Sequence, residues 1–271
     1  MIKYNILFRA CDKVESVHKG TRPFGLNKIE TIKISFNSMY EALKNENFVF
    51  TIIGDDLSQE LLDYFVKFED VIVDNVTLGS AAASLQKQID MALALPDDEW
   101  VYMVEDDYLH VPYAFTHLTE FLENKEKYLE TSGKKKNYMN RFIGNLAEKP
   151  VIIHTPDYPD RYNPPWKRHS FLFLSQYCHW RQISNTTHTF LLEVSTIKKF
   201  EKEIKASAVG PSDSKLSEKV YGRMFLKNRA LCLSPIKGIS THMTEGVMTP
   251  LVDWEAIAND NIQILKTKGA W

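Results

Sequence analysis

The first hundred residues alternate short apolar runs with longer stretches of helical period. Tyr4 to Phe8 is an apolar run that ends at Arg9-Ala-Cys-Asp12, which predicts a strand feeding a loop. The loop to Leu26 carries Gly20, Pro23 and Gly25. From Asn27, apolar side chains at Ile29, Ile32, Phe36, Met39, Tyr40 and Leu43 follow a helical repeat. Phe48 to Ile53 predicts a second buried strand, ending at Gly54-Asp55-Asp56. Ser58 is placed to cap a helix that turns Leu61, Leu62, Phe65 and Phe68 inward. Val71 to Val73 predicts a third strand, Ser80 to Leu95 an alanine-rich helix, and Trp100 to Val104 a fourth strand after the break at Pro96-Asp97-Asp98-Glu99.

Such alternation predicts an α/β fold, a mostly parallel sheet flanked by helices. Ligands of these sheets bind beyond the carboxyl ends of the strands. Three polar clusters are thereby expected on one rim: Arg9 to Asp12, Asp55 with Asp56, and Glu105 to Asp107. After a helix from about Tyr113 to Glu130 the regularity weakens. Residues 131–185 mix short apolar runs, Val151 to Ile153 and Phe171 to Leu174, with Pro156, Pro159, Pro164 and Pro165, and predict an irregular region. Thr189 to Val194 reads as a strand, Ser195 to Ala206 and Ser212 to Leu226 as helices, and Ala230 to Leu233 as a last strand before a loop with His242 and a C-terminal tail. There are no repeats or low-complexity segments. Residues 1–110 are expected to form a first half built on the alternating strands and helices, and 111–271 a second half with the C-terminal tail, as one continuous domain.

Composition narrows the classes. A chain of 271 residues, 44% hydrophobic and 12% aromatic, can bury a sizeable core. Its 33 basic and 35 acidic residues give a formal charge of -2, which argues against a nucleic-acid partner. Lys134-Lys135-Lys136 reads as a solvated loop. Cys11, Cys178 and Cys232 are far apart, without zinc-ligand spacing or a disulfide framework, as expected of reduced thiols. The first apolar run is too short for a signal peptide, and nothing approaches the roughly 20 apolar residues of a membrane span. A soluble, cytoplasmic protein with no transmembrane segment is expected.

Val101-Tyr-Met-Val-Glu105-Asp106-Asp107 sets three carboxylates at the end of a buried strand. Consecutive acids repel, so the cluster calls for a compensating cation. A hard ion with oxygen ligands, Mn²⁺ or Mg²⁺, sharing its shell with phosphates, suits it.

This arrangement resembles the GT-A glycosyltransferases, whose DxD or EDD motif ends the strand closing the nucleotide-binding half. The helix segment Leu85-Gln-Lys-Gln-Ile-Asp-Met-Ala92 stands where that family carries N-x-G-x-x-x-A, with Gln86 in place of Asn. Ile32 to Leu43 resembles the family's first helix. The resemblance implies that Asp107 binds the metal and that Glu105 and Asp106 contact the ribose, the sugar or water in the metal's shell. It places Asp55 or Asp56 by the nucleoside, Arg9 facing the nucleotide, and Gln86 at the donor side. His242, in Ile239-Ser-Thr-His-Met243, matches a second protein ligand to the ion. Asp213, in Pro211-Ser-Asp213, matches the general base of inverting members, with Glu218 in reserve. The aromatic and basic residues of Tyr158 to Tyr162, Trp166 to Arg168 and His179-Trp180-Arg181 could build an acceptor surface, since sugars stack on aromatic faces. No Ser-His-Asp order or Gly-x-Ser-x-Gly elbow is present.

The expected function is therefore transfer of a sugar from a UDP- or GDP-sugar to a hydroxyl of a glycan or glycolipid. Two other readings stand beside it. Gly20-Thr21-Arg22-Pro23 echoes the phosphate loop of sugar-phosphate nucleotidyltransferases, and a catalytically inactive glycan-binding or scaffold protein could share the fold.

Overall fold

A computed structural model of the chain describes residues 2–13, 21–130, 145–163, 170–209, 214–221 and 229–271. The alternating first half builds β1 (Lys3–Ala10), α1 (Lys28–Leu43), β2 (Asn47–Asp55), α2 (Gln59–Phe65), β3 (Val71–Val76), α3 (Ala81–Leu93) and β4 (Trp100–Glu105). Then come β5 (Tyr108–His110), α4 (Ala114–Glu123), β6 (Val151–Ile153), β7 (Leu172–Leu174), β8 (His179–Gln182), β9 (Phe190–Glu193), β10 (Leu231–Ile236) and β11 (Ser240–His242).

Among the described residues nine strands form one sheet, ordered β3-β2-β1-β4-β9-β6-β10-β8-β7, and β11 pairs with β5 in a small second sheet. The pairs among β1 to β4 are parallel, as is β6 with β10; β9 and β8 run against their neighbours. Seven of the nine strands therefore point one way, and the expected α/β class with a mostly parallel sheet is the one adopted. The chain leaves β1 for β2 on one side and returns by way of β3 to β4 on the other. The seam between β1 and β4 is thus the switch point at which such sheets open a crevice.

Both faces of the sheet are covered because β1 alternates. Tyr4, Ile6, Phe8 and Ala10 pack into one core with side chains of α1, α2, α4 and the C-terminal helix Trp254–Thr267. Leu7 enters the other, with Leu85 and Ile89 of α3 and with Ile197 and Ile204. Phe36 is central to the first core, in edge contact with Phe50, Phe65 and Phe68.

The differences from expectation have local causes. β1 continues to Ala10, because Arg9 pairs in register with Glu105 of β4 and a polar side chain at a sheet end is tolerated when it has a partner. The helix expected over 113–130 breaks at Asn124 into Ala114–Glu123 and Lys125–Leu129. That expected over 195–206 starts at Val194 and breaks at Phe200, which is buried. The segment expected to be one helix over 212–226 is described only from 214 to 221, as two short helical turns. The C-terminal tail is a 14-residue helix, capped by the Asp253 side chain, which accepts from the Ala256 amide. Its Asn261 accepts from Asn37 of α1 at 2.7 Å. Among the described residues, no helix is long and apolar enough to cross a membrane.

Candidate active site

The tips of β1, β2, β4 and β6 and the start of β9 share the carboxyl rim, and the acidic triplet sits at its centre. Each acid meets a different basic side chain. Arg9 donates from a terminal nitrogen to Glu105 Oε1 at 2.9 Å, and Thr189 donates to the other carboxylate oxygen at 3.3 Å. Asp106, only 7% exposed, accepts from Lys28 Nζ at 2.7 Å and from the Cys11 amide at 2.9 Å. Asp107 Oδ2 lies 3.0 Å from His242 Nε2. The repulsion among consecutive acids is therefore met inside the chain by Arg9, Lys28 and His242.

Local folding explains why these groups converge. Lys28 is the first residue of α1, whose N-terminus is fixed at the rim by a capping box: the Asn27 side chain accepts from the Glu30 amide, and Glu30 reaches back to the Asn27 amide. His242 comes from 135 residues downstream through β11, where it pairs with Tyr108 across the small sheet. The Met243 amide also donates to the Asp107 carbonyl at 2.7 Å. Tyr108 and His242 stack nearly parallel, 5.1 Å between centroids and 6° apart.

Burial alone would raise the Asp107 carboxyl. The His242 charge, its hydrogen bond and the Lys28 charge outweigh it and bring the group down to about 2. Burial works to lower the imidazole of His242, but Asp107, Glu105 and Asp106 together hold it above its usual range. Lys28 is likewise raised, burial being overcome by Asp106 and Asp107. Asp106 goes the other way: burial, with the neighbouring Asp107 charge, raises its carboxyl above the usual range despite Lys28.

Asp107 and His242 together offer one carboxylate oxygen and one imidazole nitrogen to an ion. A carboxylate oxygen suits Mn²⁺ or Mg²⁺, and the imidazole nitrogen beside it fits a transition ion such as Mn²⁺ rather than Mg²⁺. Among the described residues no group of three or more His, Cys, Asp or Glu side chains gathers around one point. An ion held by this pair would complete its shell from phosphate oxygens and water, as Mg²⁺ commonly does.

The other expected positions divide. Asp55 Oδ1 accepts from the Leu78 and Gly79 amides at 2.7 and 3.1 Å, so this oxygen holds the loop between β3 and α3. Asp56, in the left-handed region at φ 55°, pairs with Lys13 at the exposed edge of the rim. Gln86 bonds to Asp90 one turn on along the outer side of α3 at 3.0 Å. Helical period turns Leu85, Gln88, Ile89 and Ala92 inward instead, and Gln88 donates to the Leu7 carbonyl at 2.6 Å. Asp213 lies outside the described residues, as do Gly20 and Trp166 to Arg168.

Of the expected acceptor surface, Trp180 is 0% exposed, packs on Phe121 at 4.5 Å and donates to Ser175. It belongs to the core. Arg181 lies over the half-exposed Tyr162 ring at 4.5 Å. Tyr158 turns inward, its hydroxyl 2.7 Å from that of Tyr108. Lys28, Thr189 and Tyr108 were not singled out from sequence. Only Lys28 carried a usable signal, following a helix-capping Asn27 at the end of the long first loop.

Comparisons with known proteins complete the picture. No protein-family profile matches the chain, and no curated protein matches it. Among solved structures, TarS of S. aureus is similar with a TM-score of 0.49 and 12% identity, covering 97% of this chain and 40% of that one. The galactosyltransferase LgtC, solved with donor and acceptor sugar analogs, is similar at a TM-score of 0.43 and 9% identity, over 97% and 95% of the two chains. The 2-C-methyl-D-erythritol 4-phosphate cytidylyltransferase IspD of Francisella tularensis is similar at 0.43 and 10%, over 97% and 100%. This chain thus spans less than half the length of the TarS chain. At these values the likeness is one of general arrangement, and neither a donor nor an acceptor carries over from it.

Proposed function

We propose that the chain is a glycosyltransferase that takes a sugar from a nucleoside-diphosphate sugar, a UDP- or GDP-sugar, with help from Mn²⁺ or Mg²⁺. The supporting observation is the meeting of Asp107 and His242 at the tip of β4, 3.0 Å apart, beside the β1–β4 seam. Asp107 and His242 would hold the ion, which when bound supplies charge neutralisation at the leaving diphosphate.

The side chains around that pair have their own roles in this reading. Arg9 holds Glu105, and Lys28 holds Asp106, so that the two acids face the donor in fixed positions. Preorganised charges of this kind act without reorganising during reaction. Lys28 gives one of its three donors to Asp106, and in this reading another meets a phosphate oxygen of the donor. The acceptor is a hydroxyl of a glycan or glycolipid, and its proton goes to a general base, assigned on sequence alone to Asp213. A retaining enzyme needs no such base. Three cysteines without a disulfide suit a reducing compartment, and a cytoplasmic location is proposed with the rest.

One observation favours a second reading. Glu245 donates its amide to the Thr21 carbonyl at 3.0 Å, which brings Thr21 and Arg22 back to the rim where a triphosphate loop would lie. Nucleotidyl transfer predicts pyrophosphate release from a nucleoside triphosphate and a sugar 1-phosphate.

A panel of nucleotide sugars, scored by thermal stabilisation with and without Mn²⁺, tests the proposal. One or two donors should stabilise the protein only when the ion is present. A panel without any metal-dependent stabilisation would leave a non-catalytic protein as the better account.

A further inference from the structure

Trp180, expected on the acceptor surface, is in the core, but two other aromatic side chains stand open at the same end of the sheet. Tyr113 caps the start of α4, with His117 and Glu120 further along that helix. Spacings of four and then three residues put these side chains on one helix face. Tyr177 reaches the same face from the turn between β7 and β8. The rings run from Tyr113 to His117, 4.6 Å and 36° apart, and on to Tyr177, 5.5 Å and 24° apart. Tyr113 is 45% and Tyr177 51% exposed.

The two tyrosines are open yet fixed. The Ser175 amide closes the turn under Tyr177 by donating to the Cys178 carbonyl at 2.9 Å. The Cys178 amide and Trp180 Nε1 donate to Ser175 Oγ at 3.3 and 3.0 Å. Trp180 packs in turn on Phe121 of α4, which ties the turn to the helix. A ring already stacked on its neighbour loses little freedom when a ligand covers it.

The same face holds two polar atoms whose bonds are unmade. Glu120 accepts from the Tyr128 hydroxyl with one oxygen. Its other oxygen, Oε2, and Nδ1 of His117 are enclosed and have no partner among the described residues. Enclosed polar atoms left unpaired are costly, and a carboxylate oxygen calls for a donor. A sugar meets both demands, because its C–H face covers aromatic rings and its hydroxyls donate beside them. The carboxylate counts against a phosphate group or an anionic lipid surface.

The patch also lies next to the site. Val111 donates its amide to the Ile239 carbonyl, and His179 pairs with Ile236. Tyr113 and Tyr177, each two residues away, therefore flank the link from β10 to β11 that leads to His242. Tyr113 follows Asp107 by six residues, a reach of at most about 20 Å.

We propose that Tyr113, His117, Glu120 and Tyr177 form a subsite for a neutral glycan chain, apart from the point of transfer, and that the acceptor is accordingly an oligosaccharide rather than a single sugar. Its role as acceptor rests on the transferase reading; binding of the glycan at these rings does not.

The test is a glycan array of neutral oligosaccharides and their monosaccharide units, probed with the full chain in the absence of nucleotide and metal. The best-bound oligosaccharide is then titrated into the wild type and variants. The wild type should bind an oligosaccharide and none of the single sugars. Tyr113→Ala and Tyr177→Ala should each weaken that binding about tenfold, with wild-type melting temperatures as the check on folding. Tyr177→Phe should keep it, because the ring makes the contact. A wild type that binds no oligosaccharide, or affinity unchanged in both alanine variants, would overturn the subsite. Titration of UDP and GDP with Mn²⁺ into the same wild-type protein separates the two readings. Glycan binding without nucleotide binding upholds the subsite and contradicts the transferase, whereas nucleotide binding without glycan binding contradicts the subsite alone.

Discussion

At the scale of single residues, the site is a set of opposed charges whose values depend on one another. Asp107→Ala removes the carboxylate and leaves His242 without its main source of positive bias, so metal-dependent stabilisation by a donor should vanish. Retained Mn²⁺-dependent shifts in melting temperature would show that the ion binds elsewhere. The pH response has a definite sign. His242 is raised from 6.5, so the pair's contribution to stability is complete below 6.5 and fades as pH climbs through the raised value. Asp107 is lowered from 3.8 to about 2, so on the acid side the contribution fades as pH falls towards 2. Metal needs a deprotonated Nε2. Mn²⁺ affinity should therefore increase with pH across the range above 6.5, and a profile that is flat there would remove His242 from the ligand set. At Asp213, replacement by Asn should keep donor binding and cut turnover by a factor of roughly 10² or more. Unchanged turnover moves the base elsewhere or favours retention.

At the scale of elements, the capping box at the start of α1 joins folding to the site. Asn27→Ala deletes the acceptor for the Glu30 amide and should cost about 0.5–2 kcal/mol of stability by chemical denaturation. Because Lys28 follows directly and reaches Asp106, donor binding should weaken as well. Equal donor affinity in that variant would show that Lys28 holds its place without the cap. The strand–helix series to β4 was legible in the sequence because each run was long enough to show its period. The strands β5, β8 and β11, of three or four residues, have no period to read. The ring pair of Tyr108 and His242 depends on two of them. Arg9 could be placed from sequence only on the rim, without its carboxylate partner, and Lys28 was not singled out, because neither pairing is local in sequence. Gln86 was the opposite case: the helical repeat of α3 already set it outward, and family resemblance outweighed that signal.

At the scale of the whole molecule, the second half is continuous with the first. β9 adds directly to β4, with Met103 opposite Phe190, and β6, β10, β8 and β7 extend the sheet. The junction is lined with buried polar groups. His110, pressed down to about 3 by burial, bonds to Tyr102, which also meets Thr155. His154 is lowered in the same way. Both are neutral when folded and would be charged when unfolded below 6.5. Their contribution is therefore present above 6.5 and lost progressively as pH falls towards the folded values. Denaturant midpoints should drop steeply between pH 6.5 and 4, with His110→Gln flattening the slope. An acid profile unaffected by that change would place the sensitivity elsewhere.

The most direct measurement for the account as a whole is calorimetric titration of UDP and GDP into the protein, with and without Mn²⁺, in the wild type and in His242→Ala. The account predicts binding of one nucleotide that requires the ion and is lost in the variant. Equal binding with and without Mn²⁺, or an ion-dependent affinity that survives the loss of His242, would contradict a metal seat between Asp107 and His242.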